Sequence, residues 1–212
     1  LWPDYDSSSA RFCVRLEGAD AAGEVMVWYG SAAATTTSDG NQTYSFFDQF
    51  DDPSLDTDMW DIDPYANVYT SNGRLYVKGN FARYKGEFAG VQAKSRFDTA
   101  THILEMEMIY EGGAYGHFGW ADGNLLSYNR MVFRKAAPTG NRQVQPMKAS
   151  TYVLIDQNWA VPPNTYSIRR SGNTAYFYVG GTLVKSHSSS TQVPTIELGP
   201  HFANNGGTDH MI

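Results

Sequence analysis

The segment "HILEMEMIYEGG" (residues 102–113) alternates between apolar and acidic side chains. Successive side chains of a strand point to opposite faces, so residues two apart share one face. Glu105 and Glu107 therefore predict a face turned to water or to a ligand, and Glu111 falls in the turn beyond. The apolar positions predict the opposite face, turned to a hydrophobic core: Leu104, Met106, Met108 and Tyr110.

Short strand candidates of this kind continue through most of the chain, with turn signals between them. In "NVYTSNGRLYVKG" (67–79), Asn72-Gly73 supplies the positive φ angles of a tight hairpin turn. No amphipathic helix is recognisable. About a dozen short strands without helices predict an all-β, two-sheet antiparallel sandwich. The other candidates are residues 44–50, 90–97, 102–110, 115–121, 128–135, 150–156, 165–186 and 194–202.

The composition restricts the classes of function. The chain has 212 residues, of which 42% are hydrophobic, so it can bury a core. Its net charge is −6 and no dense Lys/Arg cluster is present, which argues against nucleic acid as a partner. No apolar run approaches the roughly 18 residues of a membrane span. The single cysteine, Cys13, excludes an internal disulfide and a multi-cysteine metal site.

The N-terminal part differs from the rest. "RFCVRLEGADAAGEVMVWYG" (11–30) predicts two strands around a Gly/Ala turn, and "SAAATTTSDG" (31–40) predicts a linker. We therefore expect residues 1–40 to be the end of a preceding small β-domain plus a linker, and residues 41–212 to be a second domain. Because the chain opens at Leu1 without a signal peptide, we expect a mature or excised segment.

Three stretches resemble the concanavalin A-like lectin/glucanase family: 46–77, with "FFDQFDDPSLDTDMWDI" and "VYTSNGRLYV", 90–123, and 164–186. Residues 10–30 resemble the C-terminal end of a small β-domain of unknown function that precedes such domains in archaeal and bacterial surface proteins. The resemblance implies a two-sheet antiparallel jelly roll in an extracellular or cell-surface protein.

The resembled family closes with a strand that carries an Asp-Trp pair, whereas this chain ends with "GGTDHMI" (206–212). Three explanations stay open. The last strand is incomplete, the parent protein continues, or a neighbouring molecule supplies the strand.

Family 16 glycoside hydrolases share the resembled fold, and their catalytic strand carries a Glu-x-Asp-x-Glu run preceded by Trp. Glu105 matches the first acid and Glu107 takes the place of the Asp, but no Trp precedes them. The Cα atoms of Glu105 and Glu107 would lie roughly 7 Å apart, whereas Glu111 would lie roughly 20 Å from Glu105, beyond hydrolytic geometry. The pattern favours a solvated face or ligand contact over catalysis.

The concave sheet is the usual ligand surface of the resembled fold. "YNRMVFR" (128–134) places two arginines on one strand face, and aromatic residues nearby offer platforms for sugar rings. The predicted ligand-binding residues are Glu105, Glu107, Tyr115, His117, Trp120, Arg130 and Arg134.

Two further sites are predicted near the linker. The acidic stretch 48–63 could bind a structural Ca²⁺, which is common in the resembled fold, with Asp48 and Asp51 as ligands. Its aspartates could equally form Asx turns. No other cofactor is expected. Asn41 opens the sequon Asn41-Gln42-Thr43 and is a candidate glycosylation site.

Together these features predict a non-catalytic extracellular domain that binds glycans or mediates surface adhesion and assembly. Its partners would be carbohydrate or neighbouring surface-protein subunits. One alternative is a family 16-type hydrolase that uses Glu105 and Glu107. The other is a structural subunit of a filament or surface layer.

Overall fold

The computed structural model describes residues 39–64, 66–78, 89–108, 116–123, 129–136, 141–157, 164–204 and 210–211. The chain divides into two compact units, Leu1–Gln49 and Phe50–Ile212. The boundary between the predicted domains, 1–40 and 41–212, lies closer to the N-terminus than the boundary between these units.

The described part of the first unit contains one helical turn, α1 (Gly40–Thr43). Asp39 caps this turn, because its carboxylate accepts a hydrogen bond of 3.1 Å from the Gln42 N–H. The strand predicted at residues 44–50 is wrong, since these residues form bends and irregular backbone.

The described strands all lie in the second unit. They are β1 (Trp60–Ile62), β2 (Asn67–Thr70), β3 (Leu75–Lys78), β4 (Ala89–Ala93), β5 (Phe97–Asp98), β6 (Leu104–Met108), β7 (Gly116–Ala121), β8 (Arg130–Ala136), β9 (Asn141–Lys148), β10 (Thr151–Tyr152), β11 (Ile155–Asp156), β12 (Asn164–Ser171), β13 (Thr174–Val179), β14 (Thr182–Ser188), β15 (Glu197–Asn204) and β16 (His210–Met211).

These strands form antiparallel sheets. The larger sheet has nine strands in the order β1-β4-β15-β7-β8-β9-β10, with β11 beside β9 and β5 beside β15. A four-stranded sheet has the order β14-β13-β12-β6, and a three-stranded sheet the order β16-β3-β2. No helix within the described ranges is long and apolar enough to cross a membrane.

The hydrophobic core lies between the nine-stranded and four-stranded sheets. The ring of Phe133 on β8 contacts Tyr166 at 5.1 Å and Phe177 at 5.4 Å, both from the smaller sheet. The indole Nε1 of Trp120 donates to the Ile168 carbonyl across the same space at 3.2 Å. The predicted alternation of β6 is confirmed within its described residues, because its apolar side chains are buried in this core: Leu104, Met106 and Met108.

The predicted hairpin at residues 67–79 is confirmed. Strands β2 and β3 pair up to Thr70 and Leu75, and Asn72 and Gly73 have φ angles of 54° and 67°. Both turn residues thus have the left-handed conformation of a two-residue hairpin loop. The predicted all-β, two-sheet antiparallel sandwich is confirmed as well.

Candidate ligand-binding face

The nine-stranded sheet has an apolar side against the core and a polar side facing away from it. On β7, Phe118 and Trp120 point to the core, so His117 lies on the opposite side. The strand register carries this polar side across to β8 and β9, where Arg134 pairs with His117 and Gln143 pairs with Arg134. Alternation within β-strands therefore collects polar side chains from distant segments on one surface.

We call this surface the polar face. Its centre consists of buried polar side chains: Gln92, His117, Gln145 and His201. Its partly or fully exposed border, the polar rim, consists of Arg130, Arg134, Gln143, Tyr152 and Asp156. Between them, Val132 and Met147 form a buried apolar floor. Such a mixture of hydrogen-bonding groups and apolar surface suits a polar ligand that also has nonpolar faces.

A hydrogen-bonded chain orders the centre of the polar face. The Nε2 atom of Gln92 donates to the Pro200 carbonyl at 2.8 Å, so its Oε1 atom faces His201 Nδ1 at 3.1 Å. Because Oε1 only accepts, His201 Nδ1 carries the proton. Burial lowers the pKa of His201 to about 3, with smaller contributions from Arg130 and Arg96. His201 is therefore neutral at physiological pH.

The arginines of the polar rim lie close enough to influence one another. Burial and, to a smaller extent, the positive charge of Arg134 lower the pKa of Arg130 to about 10, against the opposing effects of Tyr152 and Asp122. Arg130 remains charged at neutral pH. The polar rim thus places the two arginine charges on the same border as the phenol ring of Tyr152.

Carboxylates at the border of the polar face are hydrogen-bonded. Asp156 accepts from Gln143 Nε2 at 2.7 Å, on the neighbouring strand. Asp122 follows β7 and accepts from Asn129 Nδ2 at 2.5 Å. Strands β7, β8 and β9 contain no Asp or Glu. Acidic groups therefore flank these strands rather than stand on them.

The predicted ligand-binding residues do not lie on one surface. Glu105 and Glu107 lie on β6 of the four-stranded sheet, beside Ser167 and Thr165 of β12 and away from the core. On that same sheet the Arg169 guanidinium lies 5.1 Å from the ring centres of both Tyr176 and Tyr178.

Four of the other predicted ligand residues belong to the nine-stranded sheet: His117, Trp120, Arg130 and Arg134. His117, Arg130 and Arg134 lie on the polar face. Trp120 points into the core with 2% of its surface exposed, so the prediction that it offers a sugar platform is wrong. Tyr115 lies outside the described residues.

Sequence reasoning missed several polar-face residues. Gln143 and Gln145 lie on β9 (Asn141–Lys148), a segment that the strand predictions did not include and that Pro146 interrupts. The period-two repeat of Gln143, Gln145 and Met147 was the available signal. Gln92 and His201 gave no such signal, because only strand pairing brings them together.

The predicted calcium and glycan sites stay predictions. Within the described residues, no cluster of three or more His, Cys, Asp or Glu side chains could hold a metal. Asp56 forms an Asx turn instead, accepting from the Asp58 N–H at 2.8 Å. Asp48 and Asp51 are half-buried and exposed, respectively, and Asn41 is exposed on α1.

Residues 1–63 match a domain of unknown function (DUF2341). This finding confirms that the N-terminal region resembles a small domain of unknown function. No curated protein is significantly similar to the chain in sequence.

Solved structures share the fold. An uncharacterised protein from Mycobacterium paratuberculosis is 15% identical with a TM-score of 0.61, covering 79% of this chain and 97% of its own. A β-1,3-glucanase from Mycobacterium marinum is 13% identical, TM-score 0.57, with coverages of 79% and 96%. The carbohydrate-binding module CBM66 from Bacillus subtilis is 9% identical, TM-score 0.54, with coverages of 72% and 91%. The chain thus joins an N-terminal match to DUF2341 with a concanavalin A-like jelly roll of the kind found in glucanases and carbohydrate-binding modules.

Proposed function

We propose that the polar face binds a glycan without cleaving it, in an extracellular or cell-surface protein. The polar rim supplies guanidinium, amide and carboxylate groups for sugar hydroxyls, and Tyr152, which is 53% exposed, supplies a ring on which a sugar can stack. The fold shared with a carbohydrate-binding module supports this proposal.

One observation favours binding over hydrolysis. Glycosidases use two carboxyl groups separated by about 5 to 9.5 Å across the scissile bond. Strands β7, β8 and β9, which form the middle of the polar face, contain no Asp or Glu, and the rim carboxylate of Asp156 on β11 accepts a hydrogen bond from Gln143. A ligand on these strands would therefore meet cations, amides and histidine, which can hold a sugar but supply no acid–nucleophile pair.

A glycan array followed by calorimetric titration of the strongest hit tests the proposal. We expect Tyr152→Ala to weaken binding about tenfold, the equivalent of ~1.4 kcal/mol. Tyr69→Ala is the matched control, because Tyr69 is a similarly exposed tyrosine on the three-stranded sheet. Equal loss in both variants would contradict the proposed site.

Two further measurements separate the alternatives. A reducing-sugar assay on the array hits should show no cleavage, and cleavage that Glu105→Gln or Glu107→Gln abolishes would replace binding with hydrolysis. Electron microscopy should show separate particles. Filaments formed by a protein that binds no glycan would favour the structural-subunit alternative.

A further inference from the structure

We propose that the glycan bound at the polar face is acidic, and that Arg130 and Arg134 bind its carboxylate or sulfate groups. This inference rests on the proposed function, because it specifies the ligand of the same face.

The two arginines share the polar side of β8. They flank Val132, which is fully buried, and both guanidinium-bearing side chains are half-buried at the rim. Arg130 pairs across the sheet with Met147, and Met147 pairs with Tyr152. Arg134 pairs with Gln143 in the same way. Each arginine therefore shares a line of paired residues with a group suited to another part of a sugar. That group is the ring of Tyr152 in the line of Arg130 and the amide of Gln143 in the line of Arg134.

Arg130 has a hydrogen-bond donor that an anion could satisfy. Its Nε atom is buried and has no hydrogen-bond acceptor among the described residues, and no carboxylate of the described ranges forms a salt bridge with it. Asp122, the nearby acid, already accepts from Asn129. A buried guanidinium N–H without an acceptor is costly, and an anionic oxygen would satisfy it with a charge-assisted hydrogen bond.

The surroundings reinforce a local positive potential in an otherwise acidic chain of net charge −6. Arg134 lies close enough to Arg130 to act on its charge, and Arg96 and Arg130 both act on the neighbouring His201. Since two like charges in a partly buried region repel each other, an anion between them would be stabilised by both. Carboxylate and sulfate fit the planar fork of a guanidinium.

Matched polysaccharide pairs test this inference on the intact chain. Polygalacturonate and its methyl ester differ in carboxylate charge, and dextran sulfate and dextran differ in sulfate charge. We expect the acidic member of at least one pair to bind about tenfold more tightly, because it adds a charge-assisted hydrogen bond to a guanidinium. The preference should shrink as salt is raised.

The arginine variants connect the preference to the site. Arg134→Gln and, separately, Arg130→Gln should each reduce the preference at least threefold. Arg74→Gln removes the same charge from the exposed β2–β3 turn and should preserve it. Thermal melting verifies that each variant is folded, and the salt titration of the wild-type protein needs no variant.

The outcomes distinguish this inference from the proposed function. Equal binding of both members in both pairs would overturn the acidic ligand while leaving glycan binding intact. An acidic preference that all three variants reduce equally would also overturn it, since general charge attraction would then explain the result. Absence of binding to any array glycan would instead overturn the proposed function.

Discussion

At the scale of single residues, Arg170 is a charged side chain that is buried and fully engaged at the end of β12. Its guanidinium donates to Asp98 Oδ1 at 2.9 Å, to Thr99 Oγ1 at 2.8 Å and to the Gly172 carbonyl at 2.9 Å. Asp98 belongs to β5, which pairs with β15 of the nine-stranded sheet. Arg170 thereby connects the two sheets.

We expect Arg170→Met to lower the free energy of unfolding by about 2–3 kcal/mol, because the buried Thr99 hydroxyl and the Asp98 carboxylate lose their partner. Urea denaturation measures this change. Arg169→Met, at the adjacent exposed position, should cost about 1 kcal/mol or less, since it removes only contacts over two tyrosine rings. A similar loss of unfolding free energy in Arg170→Met and Arg169→Met would contradict a stabilising role of the buried Arg170 hydrogen bonds.

His201 predicts a specific pH dependence of stability. The folded chain holds this histidine neutral down to a pKa of about 3, whereas the unfolded value is about 6.5. Below pH 6.5 the unfolded chain binds a proton that the folded chain does not, so stability falls as the pH is lowered.

Lowering the pH from 7 to 5 should therefore reduce the free energy of unfolding by about 2 kcal/mol, because the unfolded chain protonates His201 and the folded chain does not. Urea denaturation at several pH values measures this slope, and His201→Asn should reduce it by that amount. Phe202→Leu, a buried change on the same strand without a titratable group, should retain the wild-type slope. A slope that His201→Asn leaves unchanged would contradict a neutral, buried His201.

At the scale of elements, the hairpin turn is a case in which local chemistry decides the structure. Gly73 has a φ angle of 67°, a conformation that costs an L-residue roughly 1–2 kcal/mol. We expect Gly73→Ala to lower the free energy of unfolding by about that amount, measured by chemical denaturation. Gly123→Ala should change it by less than about 0.5 kcal/mol, because a side chain there meets open space. Equal losses of stability in Gly73→Ala and Gly123→Ala would contradict the positive φ angle at Gly73.

Strand β9 shows the opposite case, in which the neighbours decide. Pro146 lacks an N–H group and would argue against a strand between two partners. In the sheet, β10 and β11 pair with β9 on either side of Pro146, at Met147–Lys148 and at Gln143–Val144. The pairing partner of β9 on this side is thus divided into two short strands, and the division lies opposite Pro146, which has no N–H group to donate. The sequence alone does not show that division, since it arises from two short segments that return to β9.

At the scale of the whole molecule, the two packed sheets expose opposite outer faces with different chemistry. Glu105 and Glu107 lie on the four-stranded sheet, and the polar face lies on the nine-stranded sheet. The core between the sheets separates them, so one small glycan cannot contact both.

We therefore expect the double variant Glu105→Gln, Glu107→Gln to keep its glycan affinity within about twofold, a difference of less than ~0.5 kcal/mol. Calorimetric titration of the same array hit measures it beside Tyr152→Ala, which serves as the weakened reference. A tenfold loss in the double variant would move the binding site to the four-stranded sheet.

The sequence by itself determined the fold class, the hairpin at residues 67–79 and the division of β6 into an apolar and an acidic side. These features depend on alternation and on turn residues, which act over a few neighbouring positions. The polar face was decided only by the tertiary structure. Strand pairing brings Gln92 beside His201 and Arg134 between His117 and Gln143, and the packing of two sheets places Trp120 in the core and the glutamates on the far side. Such placements depend on which residues of distant strands pair with one another. The sequence of one strand does not specify those partners.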